Sequence, residues 1–202
     1  MVSLLESSSL ANWFSTLLSA PIVSTVFCIL APYYVGYSFD LGYLALVLMG
    51  IFFYAFLPFS STFMRIVKRN NDIYISDLKE RPKHFIAGIL GYIVSAILFS
   101  WIDLTYYVIF SLTSLIIACI TLIITFRWKI SIHVIGFCTP LTLLSIISHG
   151  IFYPLLIFTP ILMWARVKVK AHNWLQVLAG AFLGIFGTIF FEYSLENLFN
   201  LV

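Results

Sequence analysis

Charge is what this sequence has least of. Among 202 residues there are 11 Lys and Arg and 8 Asp and Glu, so 9% are charged, against about 25% in an ordinary soluble domain. Hydrophobic residues make up 62%, and the mean hydropathy is +1.06. So few charges cannot cover a water-facing surface. That excludes an ordinary soluble globular domain and makes lipid the solvent. Cysteine is scarce too. Cys28, Cys119 and Cys138 each fall inside an apolar run, which reads as core packing and not as a disulfide framework or a thiolate metal site. The opening "MVSLLESSSLANW" lacks a basic n-region and a cleavage site, so no cleavable signal peptide is expected. Glycine-rich phosphate loops, internal repeats and low-complexity tracts are absent, and nothing points to nucleic acid.

What the sequence has is long apolar runs. A membrane span takes about 20 apolar residues at about 1.5 Å rise each. Seven segments qualify as candidates: 17–37, 41–58, 84–101, 104–126, 131–148, 150–165 and 172–194. They predict an all-α, polytopic transmembrane helix bundle of six or seven spans, one domain over residues 1–202, multi-pass in the cell membrane. Pro21 interrupts the first segment, which is read as beginning with an interfacial helix from Leu10. Tight links at Ser38–Asp40, Asp103 and His149–Gly150 predict hairpins between neighbours.

The cations fall in three places. Arg65, Lys68, Arg69, Lys79, Arg81 and Lys83 surround the 59–83 loop; Arg127 and Lys129 sit in the 127–130 link; Arg166, Lys168 and Lys170 sit in the 166–171 link. Two spans separate each cluster from the next, and an even number returns the chain to the same face. All eleven cations therefore converge on one membrane face, leaving Asp40, Asp103, Glu192 and Glu196 to the other. Positive-inside bias explains the sign and the asymmetry. It does not explain His133 and His172, each just inside a span beside a cationic link. Intramembrane ionisable groups are costly and point to function.

His172 and Gln176 stand i, i+4 on one helix face, and Gly180 and Gly184 continue the stripe. A Gly-x-x-x-Gly pair lets another helix approach closely, so the stripe turns His172 toward the bundle. The Gln176 amide oxygen can accept from one imidazole nitrogen and leave the other as a nucleophile. In "RWKISIHVIG", Lys129, Ser131 and His133 follow at spacing two and two. A cation, a hydroxyl and an imidazole at a helix start suit an oxyanion and a leaving group that needs a proton. Arg81, before Pro82, offers a planar fork for phosphate oxygens. Together these residues suit phosphoryl transfer through a histidine nucleophile, with no metal required. Asp72 and Asp77 are the one carboxylate pair placed to hold Mg²⁺. In so basic a loop they read instead as partners of neighbouring Lys or Arg.

These residues resemble the motif order of the type 2 phosphatidic acid phosphatase superfamily, which includes vanadium haloperoxidases. Its motifs run K-x6-R-P, P-S-G-H and S-R-x5-H-x3-D. The third is similar to Ala165-Arg166, five residues, His172, three residues, Gln176; the second to Ile130-Ser131-Ile132-His133; the first to Arg81-Pro82, with Tyr74 where the family has Lys. The resemblance covers roughly residues 65–190, and the Arg-x5-His spacing is its most specific part. It implies that His172 forms a phosphohistidine. It also implies that His133 protonates the leaving group, and that Arg81 and Arg166 hold the phosphoryl oxygens with Ser131 assisting.

The departures are Gln176 for an Asp, which removes a carboxylate partner of imidazolium, and Tyr74 for a phosphate-binding Lys, whose place Lys129 or Lys79 can take. The chain also has two spans between its first and second motifs. It resembles compact microbial members with a charged D-x4-D-x3-R loop and a K-x-S-x-H motif. The implied substrate is a lipid phosphate whose tail stays in the bilayer. The cationic vestibule favours an isoprenoid diphosphate of polyprenyl or dolichyl type; phosphatidate and phosphatidylglycerophosphate-like lipids are the alternative. A second class is a non-catalytic anion or lipid-phosphate transporter on the same scaffold. The haloperoxidase reading is poor, because those enzymes are soluble.

Overall fold

The computed structural model describes residues 2–67 and 81–200, with side chains for 9–64 and 81–200. All regular structure among them is helical. Ten α-helices follow in order: α1 Val2–Leu17, α2 Ala20–Tyr34, α3 Leu41–Gly50, α4 Leu57–Val67, α5 Ile86–Trp101, α6 Thr105–Thr125, α7 Ile132–Ile147, α8 Phe158–Lys168, α9 Trp174–Phe182 and α10 Thr188–Leu198. Short π-helical segments, Ile51–Phe56 and Leu183–Gly187, join α3 to α4 and α9 to α10, while 3-10 turns Arg81–His84 and Tyr153–Ile157 lead into α5 and α8.

Five continuous stretches are long and apolar enough to cross a membrane: Ser9–Tyr34, Leu41–Met64, Arg81–Trp101, Thr105–Thr125 and Trp174–Leu198. They mark a multi-pass integral membrane protein. The expected seven segments are therefore not equal. The 131–148 segment forms α7, whose 16 residues measure about 24 Å. The 150–165 segment starts at the 3-10 turn that contains Pro154, and only 11 residues of α8 follow. Proline lacks the N–H that would extend a helix backward from that point.

Local chemistry sets the links. Asp40 caps α3 by accepting the Tyr43 N–H at 2.9 Å. Asp103, His149 and Lys170 adopt positive φ of 57°, 52° and 56° where α5, α7 and α8 end, and Gly150 (φ 94°) continues the turn after His149. Between α1 and α2 the Ser19 N–H turns to the Thr16 carbonyl at 3.2 Å, and Pro21 has no N–H to give. The Ser15 carbonyl is thus released from the helical ladder, which matters at the site.

The main core lies between α2, the first π segment, α5, α6 and α7, around Phe27, Tyr54, Phe99, Tyr107 and Phe110. Its rings meet mostly edge to face, as at Phe27–Phe110 with centroids 5.3 Å apart. A second core joins α7, α8 and α9 through Val134, Phe137, Leu162 and Val177. Close approach there needs glycine. A Cβ on Gly180 would lie 2.9 Å from the Ser131 carbonyl oxygen, and one on Gly184 would lie 2.7 Å from Cys138 Cβ. The Gly-x-x-x-Gly stripe therefore faces α7, seating α9 so that His172, just before it, meets the start of α7.

Candidate functional site

The ends of α1, α5, α7 and α8 meet the start of α9 around one cavity of about 470 Å³. Its mouth is lined by Ser15, Arg81, His84, His133, Arg166 and His172. The three cationic segments, far apart in sequence, are held together by side-chain hydrogen bonds, and one of these ties them to the end of α1 as well. Arg81 Nη1 donates to the Ile130 carbonyl at 3.3 Å. His172 Nδ1 lies 3.1 Å from the Lys129 carbonyl oxygen. Arg166 Nη1 donates to Ser15 Oγ at 2.8 Å. Arg81 and Arg166 are 3% and 2% exposed, so two guanidinium groups sit within the protein at the cavity mouth. No carboxylate is among the described residues that line it.

Each side chain is held by the local fold. Arg166 lies in the last turn of α8, where a cation is favoured by the helix dipole. His172 follows the turn at Lys170, and its N–H donates to the Arg166 carbonyl at 3.3 Å. Asn173 then starts α9 through a reciprocal cap. Its Oδ1 accepts the Gln176 N–H at 3.0 Å, and Gln176 Oε1 accepts the Asn173 N–H at 3.2 Å. The same Gln176 Oε1 lies 3.1 Å from His172 Nδ1. Both partners of Nδ1 are carbonyl oxygens, so Nδ1 carries the proton. In the neutral ring Nε2 keeps its lone pair, and the ring lines the cavity.

The ring is neutral at physiological pH. Burial pushes the His172 pKa down to about 4; the Gln176 bond opposes this, and the charges of Arg166, Arg81 and Lys129 add to it. The site thus holds an uncharged imidazole nitrogen beside two buried cations.

His133 lines the same cavity, on the first turn of α7. Its Nε2 lies 2.8 Å from the Ser15 carbonyl oxygen released at the α1–α2 break. That contact puts a proton on Nε2 and ties α1 to α7.

Several expected residues stand elsewhere. Ser131 is fully buried and caps α7 with its main chain, taking the Gln176 carbonyl on its N–H at 3.2 Å. It does not line the cavity, and its Oγ has no hydrogen-bond partner among the described residues. Lys129 is half-buried, and its charge acts on His172, but it too is not part of the lining. Gln176 touches the ring from behind and not the cavity. Lys79, Tyr74, Asp72 and Asp77 lie outside the described residues. Among the described residues no group of three His, Cys, Asp or Glu side chains converges as a metal site. The sequence reading missed Ser15 and His84. Pro21 signalled a helix break nearby, but its missing N–H concerns the Leu17 carbonyl, so nothing in the sequence pointed to Ser15 itself. His84 follows Arg81 by three residues, one helical turn.

No protein-family model, curated protein or solved structure matches this chain.

Proposed function

We propose that this protein is a membrane-embedded lipid phosphatase that hydrolyses a lipid phosphate or diphosphate through a phosphohistidine, at its cation-rich membrane face. The observation that carries the reading is His172. Two carbonyl oxygens hold its Nδ1–H at 3.1 Å each, leaving Nε2 as a neutral nucleophile in a cavity flanked by Arg81 and Arg166. A packing histidine has no need of a fixed tautomer facing two buried guanidinium groups.

The reaction has two halves. His172 Nε2 attacks phosphorus; the P–N bond forms and the P–O bond to the lipid breaks. Arg81 and Arg166 neutralise the phosphoryl oxygens as charge spreads over them. A lipid alkoxide leaves with a proton, which His133, on the wall of the same cavity, supplies from its imidazolium form, favoured once the anionic phosphate is bound beside it, and the ring is left neutral. From a diphosphate the leaving group is a lipid monophosphate, which needs that proton less. Water then attacks the phosphohistidine, breaking P–N and releasing phosphate, and its proton returns to the acid. The resemblance to the type 2 phosphatidic acid phosphatase superfamily supports the same roles for His172, His133, Arg81 and Arg166. An isoprenoid diphosphate is the preferred substrate and phosphatidate the alternative. By the positive-inside tendency the site faces the cytoplasm of a cell-membrane protein.

The test is phosphate release by the purified full chain in lipid–detergent micelles, with a polyprenyl diphosphate and with phosphatidate. Wild type should turn over and trap acid-labile phosphate on protein, and His172→Ala should do neither while keeping its helical circular dichroism. Binding of lipid phosphate without release by wild type would overturn the enzyme reading in favour of a carrier.

A further inference from the structure

Below the charged mouth the cavity changes character. Its wall is built from helical stripes that start polar and become apolar with depth. On the Arg81–Trp101 stretch the lining runs Arg81, His84, Gly88, Ile89, Tyr92; on α7 it runs from His133 through Gly136 and Pro140 to Leu143. Tyr92 and Leu143 each lie 11 positions beyond the first residue of their stretch, a depth of about 16 Å. That is roughly half of a hydrocarbon core about 30 Å thick.

Several polar side chains on the wall turn their polar atoms elsewhere. Tyr54 presents its ring, while its hydroxyl lies 2.7 Å from Ser111 Oγ and 3.1 Å from the Tyr107 carbonyl oxygen. Thr121 donates to the Ile117 carbonyl of its own helix at 2.7 Å. The Thr139 hydroxyl lies 3.4 Å from that of Thr188, which gives its own proton to the Gly184 carbonyl. With Phe27, Ile89, Ile117, Pro140 and Leu143 also on it, the wall offers a ligand chiefly dispersion contacts, which suits a hydrocarbon chain.

We infer that this inner cavity takes a hydrocarbon chain of the substrate into the bundle, that its deep end at Tyr92 and Leu143 limits the length of chain that fits, and that the small or aliphatic side chains of Ala118 on α6 and Ile89 on α5 keep the path to that end open. About 470 Å³ over a depth of about 16 Å gives a space deep enough to take a hydrocarbon chain end-on. Chains longer than the cavity gain nothing further from it. This rests on the mouth being a phosphate site, and it adds a length gauge that the phosphatase chemistry does not require.

The experiment separates the two. The substrates are butyl, octyl, dodecyl and hexadecyl phosphate, and the variants are Ala118→Phe and Ile89→Phe, both at half-buried positions on the wall. Wild-type kcat/KM should climb with chain length and then level off. Each variant should lose about tenfold on the long chains, the equivalent of two buried methylene groups, with little change on butyl phosphate. Binding is read independently of turnover, from the melting temperature with hexadecylphosphonate or methylphosphonate. Only the long chain should stabilise wild type, and the variants should lose that shift. Equal losses across the series, a flat wild-type profile, or hexadecylphosphonate stabilising the variants as well as wild type would overturn the inference. No turnover of any phosphate, with the selective long-chain stabilisation intact, would instead sink the phosphatase reading and leave the tail cavity standing.

Discussion

His133 and Ser15, 118 positions apart, meet at 2.8 Å between an imidazole Nε2 and a main-chain carbonyl oxygen. The Ser15 carbonyl is free for this contact because its helical partner, the Ser19 N–H, turns to the Thr16 carbonyl. It fixes α1 over the mouth of the cavity and sets the His133 tautomer. His133→Ala should therefore do two things. It should cost about 1 kcal/mol of stability by leaving the Ser15 carbonyl unmet. It should also slow lipid monophosphates by about 10²-fold or more, the usual scale of acid catalysis, and diphosphates much less. His133→Gln, which keeps a donor, should recover the stability and not the monophosphate rate. Equal losses on the two substrate classes would argue against His133 as the acid.

Turnover should survive EDTA undiminished. In the proposed reaction the charge that develops on phosphorus would be met by Arg81 and Arg166, both buried at the mouth, with the charge of Lys129 adding to theirs. Activity lost on chelation and restored by Mg²⁺ would move the weight to Asp72 and Asp77.

The neutral ring of His172 makes a pH prediction. Its pKa lies near 4 in the folded protein, below the usual value of about 6.5. A depressed histidine pKa means that the unfolded chain takes up the proton first. The contribution of His172 to stability is thus present above about pH 6.5 and lost as pH falls through about 4. On the proposed mechanism, the nucleophile would then stay available across the neutral range. Titration of the imidazole nitrogen chemical shifts in micelles checks this free of the substrate's own ionisation near about pH 6. A His172 midpoint at the ordinary value would show a solvated ring and defeat the argument.

Much of this was legible in the sequence, and the reasons differ by residue. The i, i+4 pair His172 and Gln176 was legible because helical spacing is fixed geometry, and the structure has the expected bond at 3.1 Å. The glycine stripe was legible for the same reason. That the Arg81, Lys129 and Arg166 segments share one end of the bundle followed from counting spans. What spacing could not give was the direction in which Ser131 points. At the N-cap of α7 its main chain, not its hydroxyl, is engaged, by the carbonyl of Gln176. Nor could it give Ser15, whose role depends on a carbonyl released by a helix break and on α1 packing against α8. The unequal spans were hidden because hydropathy does not register the 3-10 turn ahead of α8.

Gln176 holds two bonds with one oxygen: the Asn173 N–H that starts α9 and the His172 ring. Three substitutions separate these roles. Gln176→Leu loses both, but the Lys129 carbonyl still holds Nδ1 at 3.1 Å. The loss should therefore be partial: kcat down about tenfold, the cost of one orienting hydrogen bond, with KM little changed. Gln176→Glu keeps the length of the side chain and adds a carboxylate beside the ring. An adjacent anion stabilises imidazolium, so the His172 midpoint should move up from about 4, and the acid limb of the rate profile should move with it. The charge also stabilises the imidazolium-like phosphohistidine, so kcat at neutral pH should hold or rise. Gln176→Asp is one methylene shorter and reaches less well to both partners, so its effect should lie between the other two. If Gln176→Leu matches wild type in rate and in His172 midpoint, Gln176 serves only to cap α9. The Lys129 carbonyl alone would then orient the nucleophile.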